Sequence, residues 1–304
     1  MTGASEEIAA RLKSVTKRFG ATVAVNGLDL EILRGECLGL LGPNGAGKST
    51  TITMLAGILE PDAGAIELSG KASPKLRSTR RRIGIAPQSL ALYPELTAAE
   101  NLGFFGRVYG LTGRRLRARV DAGLELARLT ESRDARVRTF SGGMARRLNL
   151  ACAVVHEPDL LLADEPTVGV DPQSRNHLFD SIEALLASGM TVIYSTHYLE
   201  EVERLCRRAA IIDHGRILAM DLVPRLIEQH GGTARLRVQF VERPSADMDL
   251  PELGPDLDVE LITAAPLTQL AQWSDAGLRF RSIDVREPNL ESVFLNLTGR
   301  SLRD

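Results

Sequence analysis

One nine-residue stretch restricts the fold of this chain more than any other. The sequence GPNGAGKST, residues 42–50, follows the apolar run CLGLL and precedes TTITMLAGIL, where apolar residues recur at helical spacing. Strand, glycine-rich turn and helix form the context in which GxxxxGK[ST] binds phosphate. Backbone N–H groups and the helix dipole attract phosphate oxygens, Lys48 reaches them directly, and Ser49 is suited to magnesium. The expected site consists of Gly42, Pro43, Asn44, Gly45, Ala46, Gly47, Lys48, Ser49 and Thr50.

Two further apolar runs predict the sheet around this loop. DLLLADEP ends in two acids, and TVIYSTH follows the helical stretch SRNHLFDSIEALLAS. Apolar strands that alternate with helices predict an α/β fold with a parallel sheet covered by helices on both faces. Asp164 is then placed to hold the water shell of magnesium, and Glu165 to polarise an attacking water. Without the phosphate loop, two acids at a strand end would indicate only a solvated strand end.

Four other side chains have weaker claims to function. His197 ends an apolar strand, so it lies at the carboxyl edge where ligands bind, although a lone histidine there is more often structural. Gln88 and Asp171 stand beside proline and glycine, where polar residues usually make turns. Phe19 is by default a core aromatic.

The stretch TFSGGM suggests a second anion site. Ser141 precedes two glycines and the helical pattern MARRLNLACAVV, so it is expected to cap a helix whose first N–H groups point at an anion. One nucleotide needs only one phosphate cradle. The two sites are compatible if the second serves a nucleotide held by another copy of the chain.

Composition narrows the classes of function. The 304 residues carry a formal net charge of -2, which gives no electrostatic reason to expect nucleic acid as a partner. Three widely spaced cysteines show no metal-ligand spacing and indicate core residues in a reducing compartment. The first residues lack the apolar stretch of a signal peptide, and no run reaches the roughly 18 apolar residues of a membrane helix. We therefore expect a cytoplasmic chain that does not itself span a membrane.

The sequence predicts two domains. Residues 1–230 form the nucleotide-binding domain, with a helical insertion over about residues 90–150. Gly231 and Gly232 mark a linker. The remaining residues, 233–304, form a small mixed α/β accessory domain, because ARLRVQFV, DLDVELIT and LRFRSIDV alternate like half-buried strands.

Over about residues 8–225 the chain resembles the ATP-binding cassette (ABC) ATPases. The motifs GPNGAGKST, SGGM, LLLADEP, VGVDP and STH occur in the order and separation of that family. The resemblance implies a homodimer in which two cassettes close head to tail around two ATP molecules. Ser141, Gly142 and Gly143 of one subunit would then face the phosphate loop of the other.

The resemblance also implies individual roles, with ATP and Mg²⁺ as the cofactors. Glu165 corresponds to the general base, Asp164 to the magnesium-site acid and His197 to the switch residue that contacts the γ-phosphate. Gln88 matches the glutamine that senses magnesium and touches the membrane subunit. Asp171 matches the loop at the dimer seam, and Phe19 the aromatic that stacks on adenine.

Two positions depart from the family pattern. The family's signature motif, which includes Ser141, Gly142 and Gly143 here, usually begins with leucine, and Phe140 stands at that position. In the loop at the dimer seam, called the seam loop below, Val170 stands before Asp171 where leucine is usual. Both residues remain apolar, and neither substitution removes a catalytic group. An active enzyme with two competent sites is therefore expected.

The stretches THYLEEVERLCRRAAIIDHGRIL and EPNLESVFLNLTGRSLRD are similar to cassettes of bacterial exporters for drugs, antibiotics, polysaccharides and nodulation factors. These cassettes act with a separate transmembrane permease, which would bring the chain to the cytoplasmic face of the membrane. An importer cassette is the nearest alternative. A soluble cassette acting on nucleic acid or the ribosome is another, but such proteins usually carry two cassettes or a long coiled-coil insertion. The accessory domain would either brace the dimer or sense a ligand.

Overall fold

The computed structural model describes residues 7–68, 72–245, 250–251 and 253–300. The chain divides into two compact units, Met1–Val223 and Pro224–Asp304. The predicted linker glycines, Gly231 and Gly232, lie inside the second unit.

A six-stranded sheet forms the centre of the first unit. Its spatial order is β5-β6-β7-β3-β8-β9, and the first five strands of this order run parallel. The strands are β3 (Cys37–Leu41), β5 (Ile83–Ala86), β6 (Leu160–Asp164), β7 (Thr191–Thr196), β8 (Arg208–Asp213) and β9 (Arg216–Leu222). Every residue of β3, β6 and β7 is buried, which explains their continuous apolar sequences. The sheet differs from the predicted parallel sheet at one edge, where β9 pairs antiparallel with β8.

A second, antiparallel sheet in this unit was not predicted. It has the order β2-β1-β4 and contains β1 (Ile8–Phe19), β2 (Thr22–Leu33) and β4 (Ala63–Leu68). Leu12 and Leu30 of this sheet share one apolar core with Leu40 and Ile193 of the larger sheet. Because one face is buried and the other solvated, its strands lack the continuous apolar character of β3.

Seven helices and two 3-10 turns complete the described part of the first unit. The helices are α1 (Lys48–Leu55), α2 (Arg77–Arg80), α3 (Ala98–Val108), α4 (Gly113–Leu126), α5 (Gly142–Val154), α6 (Pro172–Ala187) and α7 (Leu199–Leu205), and the turns are Thr130–Ser132 and Val137–Thr139. Helices α3, α4 and α5 lie in the predicted helical insertion and share a separate apolar core around Leu102, Leu124 and Leu148. Within the residues described, no helix combines the length and the apolar character that crossing a bilayer requires.

The second unit has its own small core. Its elements are α8 (Val223–His230), β10 (Arg235–Phe240), β11 (Asp258–Ile262), α9 (Pro266–Asp275), β12 (Phe280–Arg286) and α10 (Leu290–Thr298). The first residue of α8, Val223, is the last residue of the first unit. The antiparallel strands have the order β11-β10-β12 and lie where sequence alternation predicts them. Phe240 packs edge-on against Trp273 of α9, with ring centroids 5.9 Å apart.

Candidate active site

The topology brings the predicted site residues to one edge of the central sheet. Strands β5, β6, β7 and β3 are parallel neighbours, so the segments that follow their carboxyl ends lie side by side. Gln88 follows β5, Glu165 follows β6, His197 follows β7, and the loop GPNGAGK follows β3. Residues far apart in sequence therefore meet around a single site.

The phosphate loop requires glycine at two positions for space. A Cβ on Gly42 would stand 2.2 Å from the Ile212 carbonyl oxygen, and one on Gly47 would stand 2.5 Å from that of Ala24. Gly47 also has φ 107°, a value that side chains rarely allow. The loop therefore passes close to neighbouring backbone and then enters α1, whose N-terminus is the expected phosphate cradle.

Lys48, the first residue of α1, points its ammonium into the site. The Lys48 Nζ donates to the carbonyl oxygens of Gly42 (2.7 Å) and Pro43 (3.0 Å) and lies 3.3 Å from Glu165 Oε1. The side chain is buried. Burial lowers the pKa of Lys48, while the neighbouring Glu165 carboxylate raises it again in part.

Glu165 is the point at which three predicted residues converge. Besides Lys48, its carboxylate accepts a hydrogen bond from Gln88 Nε2 (3.1 Å) and lies 3.4 Å from His197 Nδ1. This ring nitrogen is buried and has no hydrogen-bond partner among the described residues. Buried polar atoms in proteins are usually hydrogen-bonded, so this nitrogen is available to bond a polar group of a ligand.

The backbone of Glu165 adopts an uncommon conformation. Its φ is 45°, in the left-handed region, and its N–H donates to both the carbonyl and the hydroxyl oxygen of Ser195 at 3.1 Å. The Ser195 hydroxyl in turn donates to Asp164 Oδ1 at 2.5 Å. Ser195, the serine of the motif STH, therefore contacts both acids, although its sequence context predicts no role for it.

The oxygen groups beside the loop fit a magnesium ion. The Ser49 hydroxyl donates to Asp164 Oδ1 at 3.1 Å, so a hydroxyl and a carboxylate already lie together. Gln88, whose Nε2 bonds the adjacent Glu165, carries an amide oxygen as well. Hard oxygen donors of this kind are those that Mg²⁺ prefers when substrate phosphates supply further ligands.

The predicted signature forms the N-terminus of α5. The Ser141 hydroxyl accepts from Met144 N at 3.2 Å, as expected of an N-cap. Ser141 and Gly142 are exposed, whereas a Cβ on Gly143 would collide with Ser174 Oγ at 2.1 Å. Ser174 donates its N–H to Asp171, the N-cap of α6, at 2.9 Å, so the signature and the seam loop are packed together within one chain.

The remaining predicted residues lie near the edges of these elements. Phe19 ends β1 and is 51% exposed, which excludes the default interpretation as a core aromatic, and Lys17 Nζ lies over its ring at 5.8 Å from the centroid. Phe140 packs against the core of the helical insertion, and Val170 is buried. Phe140 therefore keeps an apolar environment, and Val170 stays shielded from solvent.

The fold and this constellation define a P-loop ATPase of the ABC cassette class. Residues 25–168 match the family described as ABC transporter. The linearmycin resistance ATP-binding protein LnrL of Bacillus subtilis (strain 168) is 42% identical over 96% of this chain and 99% of that protein. The Nod factor export ATP-binding protein I of Paraburkholderia xenovorans (strain LB400) is 44% identical over 98% of this chain and 99% of that protein. The chain belongs to the ABC transporter family as an ATP-binding, ATP-hydrolysing subunit.

Solved structures agree with this assignment. An ATP-binding subunit of an ABC transporter matches with TM-score 0.67 and 32% identity, over 73% of this chain and 93% of that one. A dimeric bacterial ABC transporter cassette matches with TM-score 0.65 and 26% identity, over 70% and 98%.

Proposed function

We propose that the chain is the energy-coupling ATPase of an export transporter and drives a separate membrane permease. Two copies would close head to tail around two ATP molecules. The observation that carries the proposal is a pair of helix N-termini suited to phosphate. One is the start of α1, where Lys48 lies beside Glu165, and the other is the start of α5, where Ser141 is exposed. ATP that binds the closed dimer better than the open one would be the source of the work.

The surface at Ser141 supports head-to-tail pairing. A Cβ on Gly142 would meet no atom within 4 Å, so the backbone there is open to an approaching ligand. The fixed packing of Gly143 against Ser174 keeps that backbone in place. A solved cassette with 26% identity is described as dimeric, which supports the pairing of two copies.

The chemistry follows from the contacts around Glu165. The Lys48 ammonium would bind phosphate oxygens, and Glu165 would accept the proton of the attacking water while His197 contacts the terminal phosphate. Asp164, Ser49 and Gln88 would hold Mg²⁺, which when bound neutralises charge developing on the phosphates. Phe19 would stack on adenine, and Asp171 would contact the partner subunit.

A surface beside Gln88 fits a permease. Tyr93, Phe104 and Phe105 form an aromatic cluster with ring centroids 4.6–6.2 Å apart, and Tyr93 is 46% exposed. Asn101 holds this surface by accepting from Tyr93 N at 2.8 Å. Exposed aromatic side chains on a rigid support are suited to a docking helix of a partner protein.

Ser141→Arg tests the dimer. The arginine places a long cation where the partner's ATP would dock, so ATP should still bind the monomer while dimerisation and hydrolysis fail. Size-exclusion chromatography with ATP, nucleotide titration and phosphate release measure the three properties. Ser188→Arg, an exposed serine directly after α6, is the matched control and should behave like the unsubstituted protein. A Ser141→Arg protein that dimerises and hydrolyses ATP normally would contradict the proposal.

Phe104→Glu tests the permease surface. A tagged cassette expressed in its native cells should co-purify with a membrane permease. The introduced charge should reduce recovery of that permease about tenfold or more, as loss of an interface hot spot does. ATPase activity of the isolated cassette should persist. Ile58→Glu, at another exposed apolar residue, is the control. Equal recovery with both variants would remove the aromatic cluster from the interface.

Export rather than import is supported by the relatives, whose names specify resistance and export at over 40% identity along nearly the whole chain. We propose further that residues 1–230 act as the nucleotide-binding domain and that residues 233–304 brace the dimer. Attachment to the permease would hold the protein at the cytoplasmic face of the membrane.

A further inference from the structure

A buried carboxylate outside the predicted site connects two of its loops. Glu201 of α7 is fully buried. Its Oε1 accepts from the Thr167 hydroxyl at 2.7 Å, and its Oε2 accepts from Thr196 at 2.7 Å and Tyr194 at 3.0 Å. A buried carboxylate needs such donors, because desolvation without them is costly.

Thr167 connects Glu201 to the loop that carries Glu165. It lies two residues after Glu165, and its carbonyl accepts from Val170 N at 3.1 Å. Within the same turn, Val168 N donates to the Glu165 carbonyl at 3.3 Å. Fixing Thr167 therefore restrains the short turn on which Glu165 is mounted.

Thr196 connects the same carboxylate to His197. Its hydroxyl donates to Glu201 and also accepts from Tyr198 N at 2.9 Å, so the contacts bracket His197 on both sides. The Tyr198 ring lies against the His197 ring, with centroids 4.2 Å apart. The imidazole orientation thus depends on the backbone that Thr196 holds.

A phenol and a guanidinium also influence the surroundings of Glu201. Burial, followed by the Glu201 charge, raises the pKa of Tyr194 well above its usual value, so its hydroxyl stays protonated and donates. Arg175 of α6 places its Nε 4.0 Å from Glu201 Oε1 and its guanidinium 5.3 Å from the centre of the Tyr198 ring. The cluster therefore extends to the helix that begins at the seam loop.

We infer that Glu201 is a positioning residue for ATP hydrolysis. By bonding Thr167 and Thr196 together, it holds Glu165 and His197 in one arrangement, with their side chains 3.4 Å apart. This inference rests on the roles proposed above for Glu165 and His197. The inference predicts a defect in turnover rather than in ATP binding. Among the described residues, the contacts of Lys48 do not include Glu201, Thr167 or Thr196.

Steady-state kinetics of Glu201→Leu and Glu201→Gln test the inference. Leucine keeps the volume but removes every acceptor, so kcat should fall about 100-fold, the loss expected from a misplacement of roughly 1 Å. KM for ATP should stay within about threefold, since ground-state contacts remain. Glutamine keeps the shape of glutamate, and its carboxamide can bond the hydroxyls through an accepting oxygen and a donating nitrogen. Glu201→Gln should therefore retain most of the kcat of the unsubstituted protein. The control is Glu200→Gln, at the adjacent position in the chain; because the Glu200 side chain is 56% exposed, this substitution should leave kcat unchanged.

Two results would overturn the inference: kcat within about threefold of the unsubstituted protein in Glu201→Leu, or a kcat loss that glutamine does not relieve at all. If the leucine variant does not fold, Thr196→Val replaces it, because valine has the shape of threonine but lacks the hydroxyl that donates to Glu201. This variant should lower kcat about tenfold at constant KM. An unchanged kcat would again overturn the inference. Glu165→Gln separates this inference from the proposed function. Turnover retained in Glu165→Gln would refute the proposed catalytic role, whereas its loss beside an active Glu201→Leu would refute only the role of Glu201.

Discussion

Replacing Glu165 by glutamine is expected to abolish ATP turnover while ATP binding persists. The amide has the same shape and φ requirement but cannot accept a proton from water, so kcat should fall by about 10²–10⁴-fold. Because binding would no longer be followed by hydrolysis, a dimer should accumulate with ATP. Phosphate release, nucleotide titration and light scattering measure the three effects.

Glu157→Gln is a closely matched control for this experiment. Glu157 also has a positive φ, 59°, but its side chain pairs with Arg115 at 2.9 Å on the surface. The control should hydrolyse ATP normally and show no ATP-dependent trapping. If Glu165→Gln retained normal turnover, another group would have to be the base; a monomer with ATP would count against the head-to-tail dimer.

Lys48→Ala should lose most of its affinity for ATP. Hydrogen bonds to a charged group contribute about 1.5–3 kcal/mol each, so losing two phosphate contacts corresponds to a Kd raised roughly 10²–10⁴-fold. A fluorescent nucleotide titration measures the change directly. Hydrolysis at an ATP concentration that saturates the unsubstituted protein should fall in parallel.

The lysine variant also leaves Glu165 without its cation at 3.3 Å, so stability must be followed by thermal denaturation. Gln88 still bonds the carboxylate, and the variant is expected to remain folded. Lys75→Ala, which breaks only a surface pair with Glu60, is the control and should bind ATP normally. An unchanged Kd in folded Lys48→Ala would contradict the assignment of the phosphate loop.

The parts of this protein that the sequence predicts are those encoded locally. The loop before α1 needs several glycines within a few residues of one another, and the two acids directly follow an apolar run. Both motifs can therefore be recognised in the sequence. The N-cap at Ser141 is local in the same sense. Alternation of strands and helices indicates that the strands are parallel, so their carboxyl ends share one edge. The order β5, β6, β7, β3, which makes these motifs neighbours, comes from the structure.

Contacts made across long sequence separations were not predictable in this way. The antiparallel sheet pairs β1 with β4 through partners that lie far apart in the chain, such as Ala10 and Leu68. Ser195 contacts Asp164 because β6 and β7 are neighbouring strands. Glu201 contacts Thr167 because the segments that follow these two strands also lie side by side. Neither serine nor a second glutamate in a helix carries a local signature of such a role.

The left-handed backbone at Glu165 limits which variants are useful for capturing the assembled transporter by electron microscopy. A φ of 45° is tolerated by unbranched side chains held by Ser195, but it opposes valine, isoleucine and threonine, whose branched Cβ crowds the backbone. Such residues would change the path of the chain as well as the chemistry. Glutamine alters only one atom of the functional group, so an arrested complex made with it keeps the geometry of the working enzyme.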